Sequence, residues 1–388
     1  MKHRAWRYIL TMLSVAFLVV GPEVTPIKDS PAKAQAVERA PAAGTNQTWD
    51  SLVAAAKKEG MVVMYSAALT SQVRVALTQA FKAKYGINLE VSPFSRTSEL
   101  VAKVQAEQRA GLYNVDVYGA GSNGMMQLLK PAGLLGALEP MLILPEVTDG
   151  KNWSTGKVPF VDKDKTFMGM TAVPLGGAIY NTTLIKKGEI AYYKDLLKPQ
   201  YKGKITINDP TTTGAGGDFF LHLTVNIWDL DQARDYLRQL VVQQEAVIER
   251  DNRIHTESVA RGKYAIGLAP NDSNLSALLD QGAPIDMAFF KEGVRLGYAA
   301  SVIGMPVKSS HPNAAKLFVN WLLSKEGATV FSKVYGSPSL RNDVPTEGIN
   351  PIFIRQPGEK IFPESERTLN HMQEVLKMTK QVITEYYK

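Results

Sequence analysis

The chain has 388 residues, more than one hydrophobic core sustains, since single cores stop growing near ~250–300 residues. Its 45% hydrophobic and 21% charged residues are those of a folded globular protein and exclude a largely disordered chain. It has no cysteine and only five histidines, none at i,i+4 from another. That excludes disulfides, thiolate metal sites, a cysteine nucleophile and an HExxH zinc site.

Lys2, Arg4 and Arg7 precede a mainly apolar run, Tyr8–Val20. Two small-residue cleavage sites follow, Ala32-Lys33-Ala34 and Ala34-Gln35-Ala36. This is the layout of a secretory signal peptide, and the run is too short for a membrane span of ~20 residues. Residues 1–36 are therefore expected to be removed on export, with residues 37–47, rich in Ala, Pro and Gly, as a flexible lead-in. Their removal takes away Lys2, Arg4, Arg7, Lys28 and Lys33 together with Glu23 and Asp29, lowering the net charge from +7 to +4. No run of basic residues with interleaved aromatics exists, so no nucleic-acid partner is expected. The mild positive balance suits an anionic ligand.

From Trp49 onward the apolar spacing alternates between two periods. Trp49, Leu52, Val53 and Ala56 mark a helix face, ended by Gly60. Met61–Tyr65 is a continuous apolar run, the pattern of a buried parallel strand. Val73, Leu77, Ala80 and Phe81 give a second helix closed by Gly86, and Ile87–Val91 a second strand. Ser95-Arg96-Thr97 opens a third helix through Leu100, Val101 and Val104, and Val115–Tyr118 is a third strand. Later strands are expected at 177–180, 204–208, 265–269 and 298–306. Helices carry Ala233, Tyr236, Leu237 and Leu240; Leu275, Leu278 and Leu279; and Ala315, Phe318, Val319 and Leu322. A long closing helix carries Met372, Val375, Leu376, Thr379, Val382 and Ile383. Such alternation predicts α/β architecture in two doubly wound lobes.

In open parallel sheets, ligands sit beyond the C-terminal ends of strands, where helix N-termini offer free N–H groups. The candidate ligand-binding residues are those following each strand: Ser66; Ser95, Arg96 and Thr97; Gly121 and Ser122; Thr212, Thr213 and Gly214; Asn271 and Asp272. For any single turn, helix capping explains these residue types equally well, and the joint pattern is what points to a site. They are rich in hydroxyls and glycines and hold no histidine, which suits holding an anion better than catalysis. Gly119-Ala120-Gly121-Ser122-Asn123-Gly124 matches G-x-G-x-x-G, with Glu139 further on, yet Pro131 and Gly133 cut the following helix short and Glu139 lies in a loop. No G-x-S-x-G elbow exists, and His222, His255, His311 and His371 read as surface or helix-face residues without partners. Neither a dinucleotide enzyme nor a hydrolase is expected. Arg253 reads as a solvated surface residue with a possible secondary role toward the ligand.

Four segments carry a family resemblance. They are Ala178-Ile179-Tyr180-Asn181-Thr182; Asp195–Ile205 followed by Asn208-Asp209-Pro210; Ala260–Gly267; and His311–Phe318 with Leu322–Gly327. Over residues 48–345 the chain resembles the periplasmic substrate-binding proteins of ABC transporters, in the extracellular solute-binding group that includes the ferric-iron binders. The resemblance implies a type 2 periplasmic-binding-protein fold. Residues 48–178 and 299–345 would form one lobe, and 179–298 and 346–388 the other. Crossings are expected near Tyr180, itself a candidate ligand residue, and near Tyr298–Ser301. It further implies a periplasmic monomer without cofactor, which closes on a small ligand and delivers it to a membrane permease. Ferric-iron members usually carry a tyrosine pair after the strand matching Ala265–Ala269, where this chain reads Pro270-Asn271-Asp272-Ser273-Asn274. Amides and hydroxyls are poor ligands for hard Fe(III). The expected ligand is thus a small organic anion, carboxylate or phosphoryl, with Arg96 as its main charged anchor and no metal; ferric iron is the alternative.

Overall fold

The computed structural model describes residues 47–386 apart from 68, 176, 299–300 and 356–357, so the expected signal peptide, and the lead-in except Gln47, lie outside the described residues. The first helix, Trp49–Glu59, leads into β1 (Met61–Ser66). The Ser71–Tyr85 helix leads into β2 (Asn88–Pro93), and the Thr97–Arg109 helix precedes β3 (Val117–Ala120). Local chemistry sets these ends. The Thr48 and Thr70 hydroxyls accept the amides of Ser51 and Val73 at the helix starts. Gly60 and Gly86 stop the helices at φ 75° and 72°, a left-handed turn that a Cβ disfavours.

Next come β4 (Leu135–Gly136), β5 (Phe167–Gly169), β6 (Val173–Leu175) and β7 (Ala178–Asn181). They are followed by β8 (Ile205–Asn208), β9 (Val247–Glu249), β10 (Ile266–Leu268) and β11 (Ile285–Ala288). β12 (Val294–Gly297), β13 (Val302–Pro306) and β14 (Ile361–Pro363) complete the described strands. The apolar stretch expected as one strand over 298–306 starts only at Val302. Ser301 instead bonds back to Tyr298, its amide and hydroxyl both donating to the Tyr298 carbonyl.

The strands form two principal sheets, one per lobe. The first runs β2-β1-β3-β13-β4, with β5 also on β13; the second runs β11-β7-β10-β8-β9. Each is parallel where strand–helix units built it: β1 with β2 and β3, β8 with β9 and β10. β13 and β7 run antiparallel to β3 and β10. These two arrive from the other lobe and so enter their sheets from the opposite end, which makes the doubly wound sheets mixed. A third sheet, β14-β12-β6, precedes both crossings: β6 leads into β7 and β12 into β13.

Each lobe has its own core. Phe81, Phe318 and Trp321 cluster in the first, with ring centroids 5.1 to 6.0 Å apart. In the second, Tyr193 lies 4.1 Å from Phe290 and 5.8 Å from Phe219. The closing helix, Met372–Tyr386, packs Met372, Val375, Met378 and Val382 into the second core. Leu369, three residues earlier, belongs to the first core, and Glu366 accepts the Lys163 amide there. Within the segment that the resemblance assigns to the second lobe, Glu366 and Leu369 thus lie against the first, and the chain passes between the cores once more from Leu369 to Met372.

Candidate ligand-binding cleft

A cavity of about 400 Å³ opens between the two cores. Gly121, Ser122 and Asn123, after β3, form part of the first-lobe wall. The second-lobe wall includes Thr213–Ala215, Asp218 and Phe219 after β8, and Ala269–Asn271 after β10. Arg295 on β12, Glu364 just after β14 and Pro174 on β6 close the cavity from the third sheet.

The second-lobe wall depends on small residues. Gly214 is the N-cap of the Ala215–His222 helix at φ 141°, and its amide-rich first turn borders the cavity. A Cβ on Gly216 would fall within 3.0 Å of the Asn208 and Asp209 carbonyl oxygens, so only glycine lets this helix start so close to β8. Ala269 carries φ 58°, an unusual backbone for a side-chain-bearing residue and one that costs roughly 1–2 kcal/mol. It turns the chain from β10 toward Asn271.

Two charged residues on the floor of the cavity are buried. Arg295 is 2% exposed. Its Nη2 lies 3.1 Å from Asp218 Oδ1, an ion pair out of line for a hydrogen bond, and its Nε and Nη1 are buried without hydrogen-bond partners. Glu364 is 4% exposed; one carboxylate oxygen accepts the Tyr298 amide and the other, Oε1, is buried and unpartnered. Burial pushes the Glu364 carboxyl up, against the opposing pull of the Arg295 charge and of the nearby Ser122 hydroxyl. The Ser122 hydroxyl is likewise buried, beside the Glu364 carboxyl, and Asn123 Oδ1 is buried and unpartnered. His222, one turn after Asp218, bonds through Nε2 to the Gly293 carbonyl at 3.0 Å and so ties the helix to β12. Burial pushes its imidazole down to about 4, so it is neutral near pH 7.

Of the residues singled out from sequence, Gly121, Ser122, Thr213, Gly214 and Asn271 line the cavity. Ser66 is buried at the end of β1 and accepts the Leu69 amide. Ser95 and Arg96 are exposed, Arg96 as N-cap of the Thr97–Arg109 helix without a side-chain cap bond. Thr97 packs on the first-lobe wall, where a Cβ on Gly124 would collide with it. Thr212 is exposed beside the cavity, and Asp272 heads the Asp272–Asp280 helix. Tyr180 lies in the second core with its hydroxyl donating to Asp286 at 3.1 Å. Burial and that carboxylate push its phenol up to about 12. Arg253 is exposed and pairs with Glu257 at 3.2 Å.

Arg295, Asp218 and Glu364 were not singled out. The available signal was a single charge inside an apolar stretch, as in Val294-Arg295-Leu296 and Phe362-Pro363-Glu364. The histidines also depart from expectation. His222 and His255 are fully buried, and His311 Nδ1 lies 2.9 Å from Asp116 Oδ2. Ser309 donates to the other oxygen of Asp116 rather than to His311, so this trio does not make an activated nucleophile.

The two lobes enclose a cleft with a buried charged floor, the arrangement of a protein that holds a small ligand. The bacterial extracellular solute-binding protein family matches residues 76–356, and the chain belongs to that family. Its fold is that of the periplasmic binding proteins of ABC importers. The chain is 23% identical to the spermidine/putrescine-binding periplasmic protein 1 of Haemophilus influenzae over 277 residues, covering 70% of this chain and 73% of that one. Among solved structures, the Trichodesmium IdiA (FutA) protein in complex with iron and citrate is 19% identical with a TM-score of 0.67, covering 83% of this chain and 99% of that one. AfuA of Actinobacillus pleuropneumoniae with fructose-6-phosphate bound is 22% identical with a TM-score of 0.56, covering 84% and 99%.

Proposed function

We propose that the cleft captures a small organic anion, a carboxylate or phosphoryl compound, and that the protein presents it to the permease of an ABC importer. The anchor in this reading is Arg295 and not Arg96. The observation that carries it is a guanidinium 2% exposed on the cavity floor with two nitrogens lacking partners. A buried donor left unmade costs roughly 1–3 kcal/mol, more when charged, and an anion supplies what Nε and Nη1 lack. An exposed arginine such as Arg96 stays hydrated and contributes far less. The same buried charge disfavours a polyamine. Ferric iron is disfavoured by the Tyr180 phenol, which is turned to Asp286 and held protonated.

Thermal shift and calorimetry over carboxylates, phosphate esters, spermidine and ferric citrate test this reading. A ligand at 100 times its Kd stabilises by about 2.7 kcal/mol, a readable shift. Arg295→Met removes one partner of a buried charged contact, which typically costs ~2–5 kcal/mol. It should weaken anion binding at least ~100-fold, at about 1.4 kcal/mol per tenfold. Arg96→Ala should leave affinity within about threefold, as expected for an exposed charge. Unchanged anion affinity in Arg295→Met, or a coloured stoichiometric iron complex with no response to any organic anion, overturns the reading.

A further inference from the structure

The buried polar atoms that lack partners are not all suited to an anion. Arg295 Nε and Nη1 donate. Asp218, whose Oδ1 accepts and does not donate, lines the same cavity, together with Ser122, Asn123 and Glu364. A simple anion would satisfy the guanidinium and leave Asp218 opposite its own negative charge. From this inventory we infer that the ligand is a hydroxylated organic anion: its anionic group meets Arg295, and its hydroxyls donate to Asp218 and exchange hydrogen bonds with Ser122 and Asn123. The inference rests on the anion reading above.

The chemistry separates this class from two others. A zwitterion such as an amino acid would place an ammonium by Asp218, but Arg295 already sits 3.1 Å from that carboxylate. The ammonium would enter the field of the same guanidinium, whereas a neutral hydroxyl does not. An alkyl carboxylate or alkyl phosphate would bury the Asp218 oxygen against methylene groups and leave it without a donor, a loss of roughly 1–3 kcal/mol or more. Both walls place neutral hydroxyls and amides around the charged floor, with Ser122 and Asn123 on one side and Thr213 and Asn271 on the other. That distribution matches hydroxyls along a chain or ring better than a single charged head.

The test uses matched pairs on the purified protein. Gluconate and galactonate are compared with hexanoate, glucose 6-phosphate and ribose 5-phosphate with n-hexyl phosphate, and alanine and aspartate serve as zwitterions. A site built to hydrogen-bond hydroxyls rejects analogues without them strongly, so at least one hydroxylated member should bind ~100-fold tighter than its partner or more. Asp218→Asn should weaken that member at least tenfold. Asn123→Ala, on the first-lobe wall and not a member of the Arg295–Asp218 ion pair, gives a second variant with the same expected direction. Equal binding within every pair, or preferred binding of an amino acid, overturns this inference and leaves the anion reading standing. If no anion of either set binds, both fall together.

Discussion

Gly216→Ala sets two opposing terms against each other. In an exposed helix the change should stabilise, because alanine exceeds glycine in helix propensity by roughly 0.8–1 kcal/mol. Here the new Cβ would lie within 3.0 Å of two backbone carbonyl oxygens, those of Asn208 and Asp209, and backbone at the end of a central strand yields little. The helix must retreat by on the order of 1 Å, and overpacking of this kind costs about 1–3 kcal/mol. Steric cost therefore outweighs propensity, and the net is a loss of about 1–2 kcal/mol. At roughly 2–4 °C per kcal/mol the melting temperature should fall by a few degrees. The retreating turn is the one that borders the ligand cavity. A hydrogen bond of ~2.9 Å stretched by that amount is no longer one, so anion affinity should fall by about tenfold or more. Scanning calorimetry and titration calorimetry read the two effects separately. A variant with equal or higher melting temperature and unchanged affinity would refute the claim that this helix is held against β8 by its glycines.

Two pH effects on the ligand-free protein follow from buried groups. Burial pushes His222 and His255 down to about 4, against about 6.5 in an unfolded chain. The unfolded state alone takes up these protons between those values, so stability is full above pH 6.5 and falls toward pH 4. The loss is up to about 3 kcal/mol per histidine at 1.36 kcal/mol per unit, and the urea midpoint should drop steadily from pH 7 to pH 4.5; a flat midpoint contradicts it. Glu364 has the opposite sign. Its carboxyl is raised in the fold, so stability declines as pH climbs above ~4.3 through the folded value. Glu364→Gln cannot ionise, so it should be more stable than the parent at pH 8 and close to it at pH 4; equal or lower stability at pH 8 would show the carboxylate to be well paired by Arg295.

The sequence carried the scaffold in a local form. Five apolar residues in β1 bounded by Gly60, and helix faces at three- and four-residue spacing, need no tertiary information to be read. The site was only half local. Turns after β3, β8 and β10 line the cavity, and all three strands lie inside their sheets. The turn with Arg96 satisfied the same local rule, but β2 is the edge strand of its sheet, and edge position is a property of strand order that no short window contains. Arg295 and Glu364 meet because β12 pairs with β14, and Asp218 joins them from the helix after β8, which the His222–Gly293 hydrogen bond ties to the start of β12. Their positions span residues 218 to 364, and nothing in the spacing of three isolated charges announces that they will converge.

The placement of the anchor bears on how such a cleft works. Arg295 belongs to neither wall; it stands on the sheet that feeds both crossings, fixed by β6 and β14 along its strand and by the His222–Gly293 hydrogen bond beside it. Its burial is set by the protein's own strands, so the desolvation of the guanidinium is a cost of folding, not of binding. An incoming anion meets a dry, oriented charge and must shed only its own water. The walls hold the neutral groups, Ser122 and Asn123 on one lobe and Thr213 and Asn271 on the other. In the closure that the family resemblance implies, the charge stays where it is, while the hydrogen bonds that distinguish one anion from another form as the walls approach. Charge then draws in a class of ligands, and the hydroxyl and amide pattern selects among them, a division that places affinity for the class on Arg295 and discrimination within it on Asp218 and Asn123.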